Sequence, residues 1–279
     1  MRAYVVNLAR SAERRRHIAR ELARTGMQWE LVEAVDARQA DIDQPSIVAP
    51  GMKAHPLFRP GAAGCALSHL RVYERVLSSG DERAVVLEDD VLLPEDFSAL
   101  ADAVAANMEG AEVALLNFHH PDGLKLASES AVALEGPSVL ASPVNIEGLT
   151  SGAAYVVTRQ ACAGLVETML PMRFFSDEWW QLVRSRALER VRCVAPMPVR
   201  QSLEFATTID HYAPGSWQWL LREACSHAGL YRLPLLRKAV EQRRRVDFEK
   251  WGALGDVQLV GNGLPEPAVP VLATLSSNA

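Results

Sequence analysis

Lysine is nearly missing from this chain. Only Lys53, Lys125, Lys238 and Lys250 interrupt a set of 29 basic residues that is otherwise arginine. The plain reading of that bias is a GC-rich genome, so it carries no chemical weight. No run of about 18 to 20 apolar residues occurs, which argues against a membrane-spanning helix. The opening "MRAYVVNLAR" has a short apolar run that meets Asn7, with no small-residue cleavage site behind it, so no secretory signal is expected. Cysteine is scarce. Cys65, Cys162, Cys193 and Cys225 stand far apart with no CxxC pair, which argues against a zinc site and for a reduced, cytoplasmic setting. Excess positive charge is absent too, and a net charge of −5 speaks against a general nucleic-acid binder.

What is present is ordinary for a folded chain. Of 279 residues, 49% are hydrophobic and 23% charged. The length suits one large α/β domain, or one domain plus an extension. "AYVVNL" (3–8) reads as a buried first strand. A helix follows, with Ser11 as its cap and Gly26 as its stop. "WELVEAVDA" (29–37) reads as a second strand ending at Asp36. Such a βαβ opening favours a parallel sheet with helices on its faces.

Residues 38–63 are loop-like, punctuated by Pro45, Pro50, Gly51, Pro56, Pro60 and Gly61. A loop of that length is more often functional than idle. "AAGCALSHLRVYERVLSSG" has helical spacing of its apolar residues. "RAVVLEDD" is the next strand. "PEDFSALADAVAANM" reads as a helix with Pro94, Glu95 and Asp96 in its first turn. "AEVALLNF" is another strand, and 119–150 suggests a hairpin. "SGAAYVVTRQACAGLVETM" is strand then helix, "FFSDEWWQLVRSRA" a helix opening at Ser176, and "VRCVAPMPVRQS" a short strand with an exit loop. From 216 the sequence is helical and basic, and 259–279 is a Pro-rich tail expected to be flexible. The expected division is 1–215, 216–258 and 259–279.

The chemistry concentrates in "AVVLEDDVLLPEDF". Three adjacent acids, Glu88, Asp89 and Asp90, end an apolar strand. On an extended chain Glu88 and Asp90 project to one side and Asp89 to the other. Open parallel sheets bind ligands beyond the carboxyl ends of their strands, where a carboxylate pair suits a hard divalent cation that can grip a diphosphate. The plainer reading is a solvated turn with helix-capping acids.

Three blocks in this order, "AYVVNLARSAERRRHIARELARTGMQWELVEAVDAR", "GAAGCALSHLRVYERVLSSGDERAVVLEDDVLLPEDF" and "SGAAYVVTRQACAGLVE", resemble glycosyltransferase family 25, the lipooligosaccharide and collagen galactosyltransferase group. The resemblance covers about residues 1 to 210. It implies a GT-A-type nucleotide-binding sheet flanked by helices; the helical C-terminal extension is read from the pattern beyond 216 and lies outside the resemblance. The resemblance also implies a UDP-sugar donor, a divalent metal such as Mn²⁺, and inverting transfer.

By that resemblance Glu88 and Asp90 stand in a DxD-type motif, with Asp90 the first candidate for metal contact and Glu88 or Asp89 for ribose or metal-bound water. Asn7, Leu8, Arg10 and Arg14 fall beside the nucleotide, where arginine suits diphosphate. Of Arg14, Arg15 and Arg16, at least one must face solvent. Asp36 could bind uracil or ribose, or merely brace a turn. Gly64 would let backbone approach the ligand, and Ser68 and His69 would bond sugar or phosphate, with a purely structural helical histidine the equal alternative for His69. Cys65 reads as core. Family members often carry an acid near "GxxGC"; here the block is "GAAGC", so no carboxylate role passes to Ala62 or Ala63.

Inverting transfer needs a general base. The candidates are Asp177 and Glu178, with Trp179 or Trp180 stacking on a sugar; alternatively the two acids only brace a helix start. Gln201, Ser202, Thr207 and Thr208 fall where the family has polar residues. His211 could complete a metal shell by analogy with other GT-A enzymes. The basic helix from Arg232 to Arg245 could touch anionic lipid at the inner face of the membrane, although interspersed acids favour a solvated helix.

The expectation is therefore a metal-dependent enzyme moving a hexose, foremost galactose, from UDP to a bacterial surface glycan or lipid-linked oligosaccharide. A non-catalytic nucleotide-sugar or glycan-binding module of the same fold is the alternative. A phosphotransferase is disfavoured because the first strand ends in "NLAR" and not in paired acids.

Overall fold

The structure is a computed structural model that describes residues 1–55, 58–134, 136–202, 204–205 and 257–260. His211, Thr207, Thr208, the basic helix and nearly all of the tail lie outside the described residues.

The opening follows the expected βαβ order. Strand β1 (Arg2–Asn7) leads to helix α1 (Ala12–Thr25) and strand β2 (Gln28–Glu33). Gly26 stops α1 in the left-handed region at φ 67°, where a side chain would be strained. Ser11 sits at the N-cap but makes no side-chain cap bond. The segment expected as one long loop holds a short helix, α2 (Pro50–Lys53), and ends where α3 (Pro60–Ser79) begins. Proline fits the first turn of α3 because that N–H has no helical partner anyway.

Strand β3 (Arg83–Glu88) follows, then β4 (Val91–Leu92) and α4 (Phe97–Ala106). Glu95 and Asp96 thus precede the helix and do not form its first turn. Strand β5 (Glu112–Leu115) leads into 119–150. That segment holds a further strand, β6 (Lys125–Ala127), and then the expected hairpin, β7 (Val132–Ala133) with β8 (Val139–Ala141). Then come β9 (Ala154–Thr158), α5 (Arg159–Thr168), α6 (Trp179–Arg184), β10 (Arg190–Ala195), β11 (Arg200–Gln201) and β12 (Gln258–Val260). Thr158 caps α5 by accepting the Ala161 N–H.

Eight strands form one sheet in the order β2-β1-β3-β9-β5-β10-β8-β7. Strands β2, β1 and β3 are parallel, while β9 runs antiparallel between β3 and β5. Both faces are covered, so the central strands β3, β5 and β9 are buried and mostly apolar, while β2 at the sheet edge keeps exposed polar residues. Tyr4, Val86, Val113 and Tyr155 pack on one face with Tyr73 of α3, Leu165 of α5 and Trp179 of α6. Val5, Val85, Leu87 and Val156 pack on the other with Ile18 and Leu22 of α1 and Phe97 and Val104 of α4. Strand β11 pairs with β4, and β12 pairs with β6. Among the described residues no helix is long and apolar enough to cross a membrane.

The antiparallel insertion of β9 positions the site. Its first residues lie beside the carboxyl ends of β3 and β5: the Glu88 N–H donates to Ala153 O at 2.8 Å, and the Leu116 N–H to Ala154 O at 3.0 Å. The segment Ser151–Ala153 therefore meets the acids at one edge of the sheet.

Candidate active site

A cleft of about 370 Å³ opens at that edge, and its walls include Leu8, Arg10, Asp36, Gly64, Ser68, His69, Glu88 and Asp89. Arg14 also lines it, while Asn7 and Asp90 do not. Most of the residues singled out from sequence are thus brought together.

The acids do not behave alike. Strand β3 stops at Glu88, so the pleat no longer separates Asp89 from Asp90. One guanidinium spans both: Arg14 NH1 donates to Asp89 Oδ1 at 2.6 Å and NH2 to Asp90 Oδ2 at 2.7 Å. Asn7 Nδ2 donates to Asp89 Oδ2 at 2.6 Å. Both Asp89 oxygens are therefore held by protein, which makes Asp89 a brace between α1, β1 and β3. Burial raises its pKa, although Arg14 and Asn7 pull the other way. Arg15 and Arg16 are exposed, the solvated members of the arginine run.

Asp90 Oδ1 is buried without a hydrogen-bond partner among the described residues. Burial, followed by repulsion from Glu88, pushes Asp90 up to about 7. A buried acceptor with no donor, beside a second carboxylate, is costly unless a cation completes it. Glu88 and Asp90 thus fit a hard divalent cation, and Asp89 does not.

The wall opposite is built from α3 and the loop after β2. Strand β2 ends at Glu33, so Asp36 lies in that loop and not at a strand end. It accepts the Arg38 N–H at 3.1 Å, the expected turn brace, and Arg10 Nε at 2.7 Å. The Arg10 bond holds its carboxyl below the usual range. Gly64 has a different reason from the one expected. A Cβ there would lie 2.8 Å from Val35 O, so its bareness admits the Val35–Ala37 backbone rather than a ligand. Ser68 Oγ accepts the Val35 N–H at 2.8 Å and donates to Gly64 O at 2.5 Å, fastening the same contact.

His69 is buried and hydrogen-bonded through Nδ1 to Tyr155 Oη at 2.7 Å, and Tyr155 Oη to Tyr73 Oη at 2.8 Å. Its Nε2 lies 3.8 Å from Glu88 Oε1. Burial disfavours the charged ring, but the Cys65 sulfur and the Glu88 carboxylate outweigh it and push His69 up to about 10. Cys65 is not core: it is half-buried and lines the cleft.

Helix α6 begins at Trp179, not Ser176. Glu178 Oε2 accepts the Phe175 N–H at 2.6 Å, so it braces the helix entry. Asp177 Oδ2 accepts the Ser151 N–H at 3.2 Å, and burial raises its pKa. Trp179 is buried and donates Nε1–H to Ser151 O at 3.0 Å, which leaves no face for a sugar. Trp180 lies under the Arg184 guanidinium at 5.9 Å. The Ser202 N–H donates to Asp90 O at 2.6 Å, tying β11 to the acid turn.

Sequence reading missed Cys65, Arg38, Arg59 and Ser151. Arg38 and Arg59 line the cleft from the loop segments. Ser151 has φ 98°, unusual without glycine, and its Oγ donates to Asn117 Oδ1 at 2.6 Å. The one available signal was Cys65 preceding His69 by four, a shared helix face.

The sequence model described as "Glycosyltransferase family 25 (LPS biosynthesis protein)" matches residues 1–180. The chain belongs to glycosyltransferase family 25. It is 27% identical over 181 residues to the lacto-N-neotetraose biosynthesis glycosyltransferase LgtB of Neisseria gonorrhoeae, covering 64% of this chain and 61% of that one. It is 34% identical over 95 residues to LgtE of the same organism, 34% of each chain. It is 30% identical over 118 residues to human procollagen galactosyltransferase 2, covering 39% of this chain and 19% of the relative. The matched regions span less than two thirds of the length of these family 25 relatives.

Proposed function

We propose that this family 25 chain is a metal-dependent, inverting hexosyltransferase. It moves galactose from UDP to a hydroxyl of a bacterial surface glycan such as lipooligosaccharide. The observation that carries the reading is the orphaned Asp90 Oδ1 just past the carboxyl end of β3, close enough to Glu88 to feel its charge, with Glu88, Arg10, Arg38 and Arg59 walling the cleft. The arginines suit the diphosphate, and the first turn of α3, reaching the cleft at Pro60 and Gly61, favours anions. The family relatives named for galactose transfer support the choice of sugar.

A divalent cation held by Glu88 and Asp90 would neutralise charge on the leaving diphosphate. The remaining work falls to side chains. The acceptor oxygen bonds to the anomeric carbon as the bond from that carbon to the β-phosphate oxygen breaks. UDP leaves with the electron pair. The hydroxyl proton passes to Asp177, whose raised pKa favours its role as base. The Ser151 N–H binds Asp177, Trp179 in turn holds Ser151 O, and Asp177 lies close enough to Glu88 and His69 to feel their charge.

The test is UDP release from a panel of UDP-sugars with and without Mn²⁺, together with direct UDP binding. Asp177→Asn should lose turnover by about 100-fold or more while UDP binding holds. Asp90→Asn should lose the metal dependence of UDP binding. Binding without turnover on any acceptor would favour a binding module. Neither binding nor turnover would end the transferase reading.

A further inference from the structure

The cleft contains a second donor set whose chemistry differs from that of the acid pair. Cys65 and His69 are four residues apart on α3, so both project from one helix face. Glu88 reaches them from the end of β3. One ligand atom from each lies within 4.8 Å of the other two. The residues are half-buried, buried and half-buried respectively, and all three line the cleft, so an ion has both a route in and an open position toward solvent.

The surrounding hydrogen bonds point the same way. His69 Nδ1 meets Tyr155 Oη at 2.7 Å, and Tyr155 Oη meets Tyr73 Oη at 2.8 Å. If Nδ1–H donates to Tyr155, and Tyr155 donates to Tyr73, the chain is satisfied and Nε2 is left facing Glu88; in the metal-free chain that nitrogen carries a proton, which an incoming ion displaces. Metal-bound histidines are oriented in this way, with the far nitrogen donating to a fixed acceptor. The 3.8 Å between Nε2 and Glu88 Oε1 is close to the spacing of two ligands on one tetrahedral ion, roughly 3.3–3.8 Å for bonds of about 2.0–2.3 Å. Cys65 Sγ lies within 4.8 Å of both.

We propose that Cys65, His69 and Glu88 form a binding site for a thiolate-seeking divalent cation of the zinc or cobalt class. A Cys–His–carboxylate set suits such ions, whereas Mg²⁺ and Mn²⁺ favour oxygen donors. The absence of a CxxC pair does not bear on it, because the helix supplies the spacing. Glu88 belongs to both donor sets, so an ion held by Cys65 draws it away from Asp90. The site does not rest on the transferase reading, since it needs neither nucleotide nor acceptor.

The probe is Co²⁺ added to the chelator-treated full chain under a non-thiol reductant. One equivalent should produce thiolate-to-cobalt charge-transfer absorption, and Zn²⁺ should remove it. Cys65→Ser should abolish the band, and Cys225→Ser should keep it. Tyr155→Phe should weaken affinity by about 10-fold or more through the lost orientation of His69. Iodoacetamide labelling of the wild-type chain supplies a readout that needs no variant: Zn²⁺ should protect Cys65. The absence of a charge-transfer band, a band that survives Cys65→Ser, or labelling of Cys65 indifferent to Zn²⁺ would each overturn the site.

Discussion

Two buried ionic clusters among the described residues are built to opposite plans. Between β5 and β10, Glu112 is fully buried and accepts Arg192 Nε and the Glu109 N–H, while Arg192 also donates to Asn107 O. Charge meets charge, and the polar atoms of the pair find partners. At the end of β3, one guanidinium serves Asp89 and Asp90 together, Glu88 adds a third negative group, and Asp90 Oδ1 is left over. A balanced buried pair needs nothing from outside. An unbalanced one has a deficit that a ligand can fill, and Glu88 of this cluster lines the cleft.

Four single substitutions and one double variant can break that contrast. Arg192→Ala should cost about 3–5 kcal/mol of unfolding free energy, because it strands Glu112 in the core; a Glu112→Leu/Arg192→Met double variant should recover most of it in urea titration. A small loss from the single variant would mean the pair is not as buried as the structure has it. Asp90→Asn should do the reverse and stabilise the metal-free chain at pH 8, on the order of 2 kcal/mol. The sign follows from the raised carboxyl. Held near 7 when folded and near 3.8 when unfolded, Asp90 weakens the wild type as pH rises through that window. The gap between variant and wild type should therefore open between about pH 4 and 7 and level off above. A constant gap across pH would show that Asp90 is not the strained group.

Asn7→Ala should lower stability by about 1.5 kcal/mol, the low end for a bond to a charged group, because Arg14 still holds Asp89. Arg10→Ala should cost under about 1 kcal/mol by thermal melt, since its bond to Asp36 is open to water. A larger loss there would blur the distinction between structural and surface pairs.

The long apolar runs made much of the fold legible. The βαβ opening, α3, β3, β5 and β9 all follow from periodicity and punctuation. Strands β4, β6, β7, β8 and β11 did not, because two or three residues carry no pattern of their own. Nor does sequence reveal that β9 inserts antiparallel between β3 and β5, which brings Ser151 to the acids. At the site, residue types were readable but their partners were not. Asn7 and Asp89 are 82 positions apart, and nothing local says that one holds the other. The alternation argument for the acids failed at the single point where the strand stops. Cys65 was misassigned because a small sulfur residue in an apolar helix looks like packing until its neighbours are known.

Strand β12 joins distant stretches of the chain. Gln258–Val260 runs parallel to Lys125–Ala127, with Leu259 opposite the buried Leu126, and Val257 packs onto the main core. This short strand is thus a fastener for the 119–150 excursion. A chain cut after residue 215 would lose that fastener and leave an open edge on β6, so trimming the C-terminal region should be felt far along the chain from the cut, in the segment between β5 and β9.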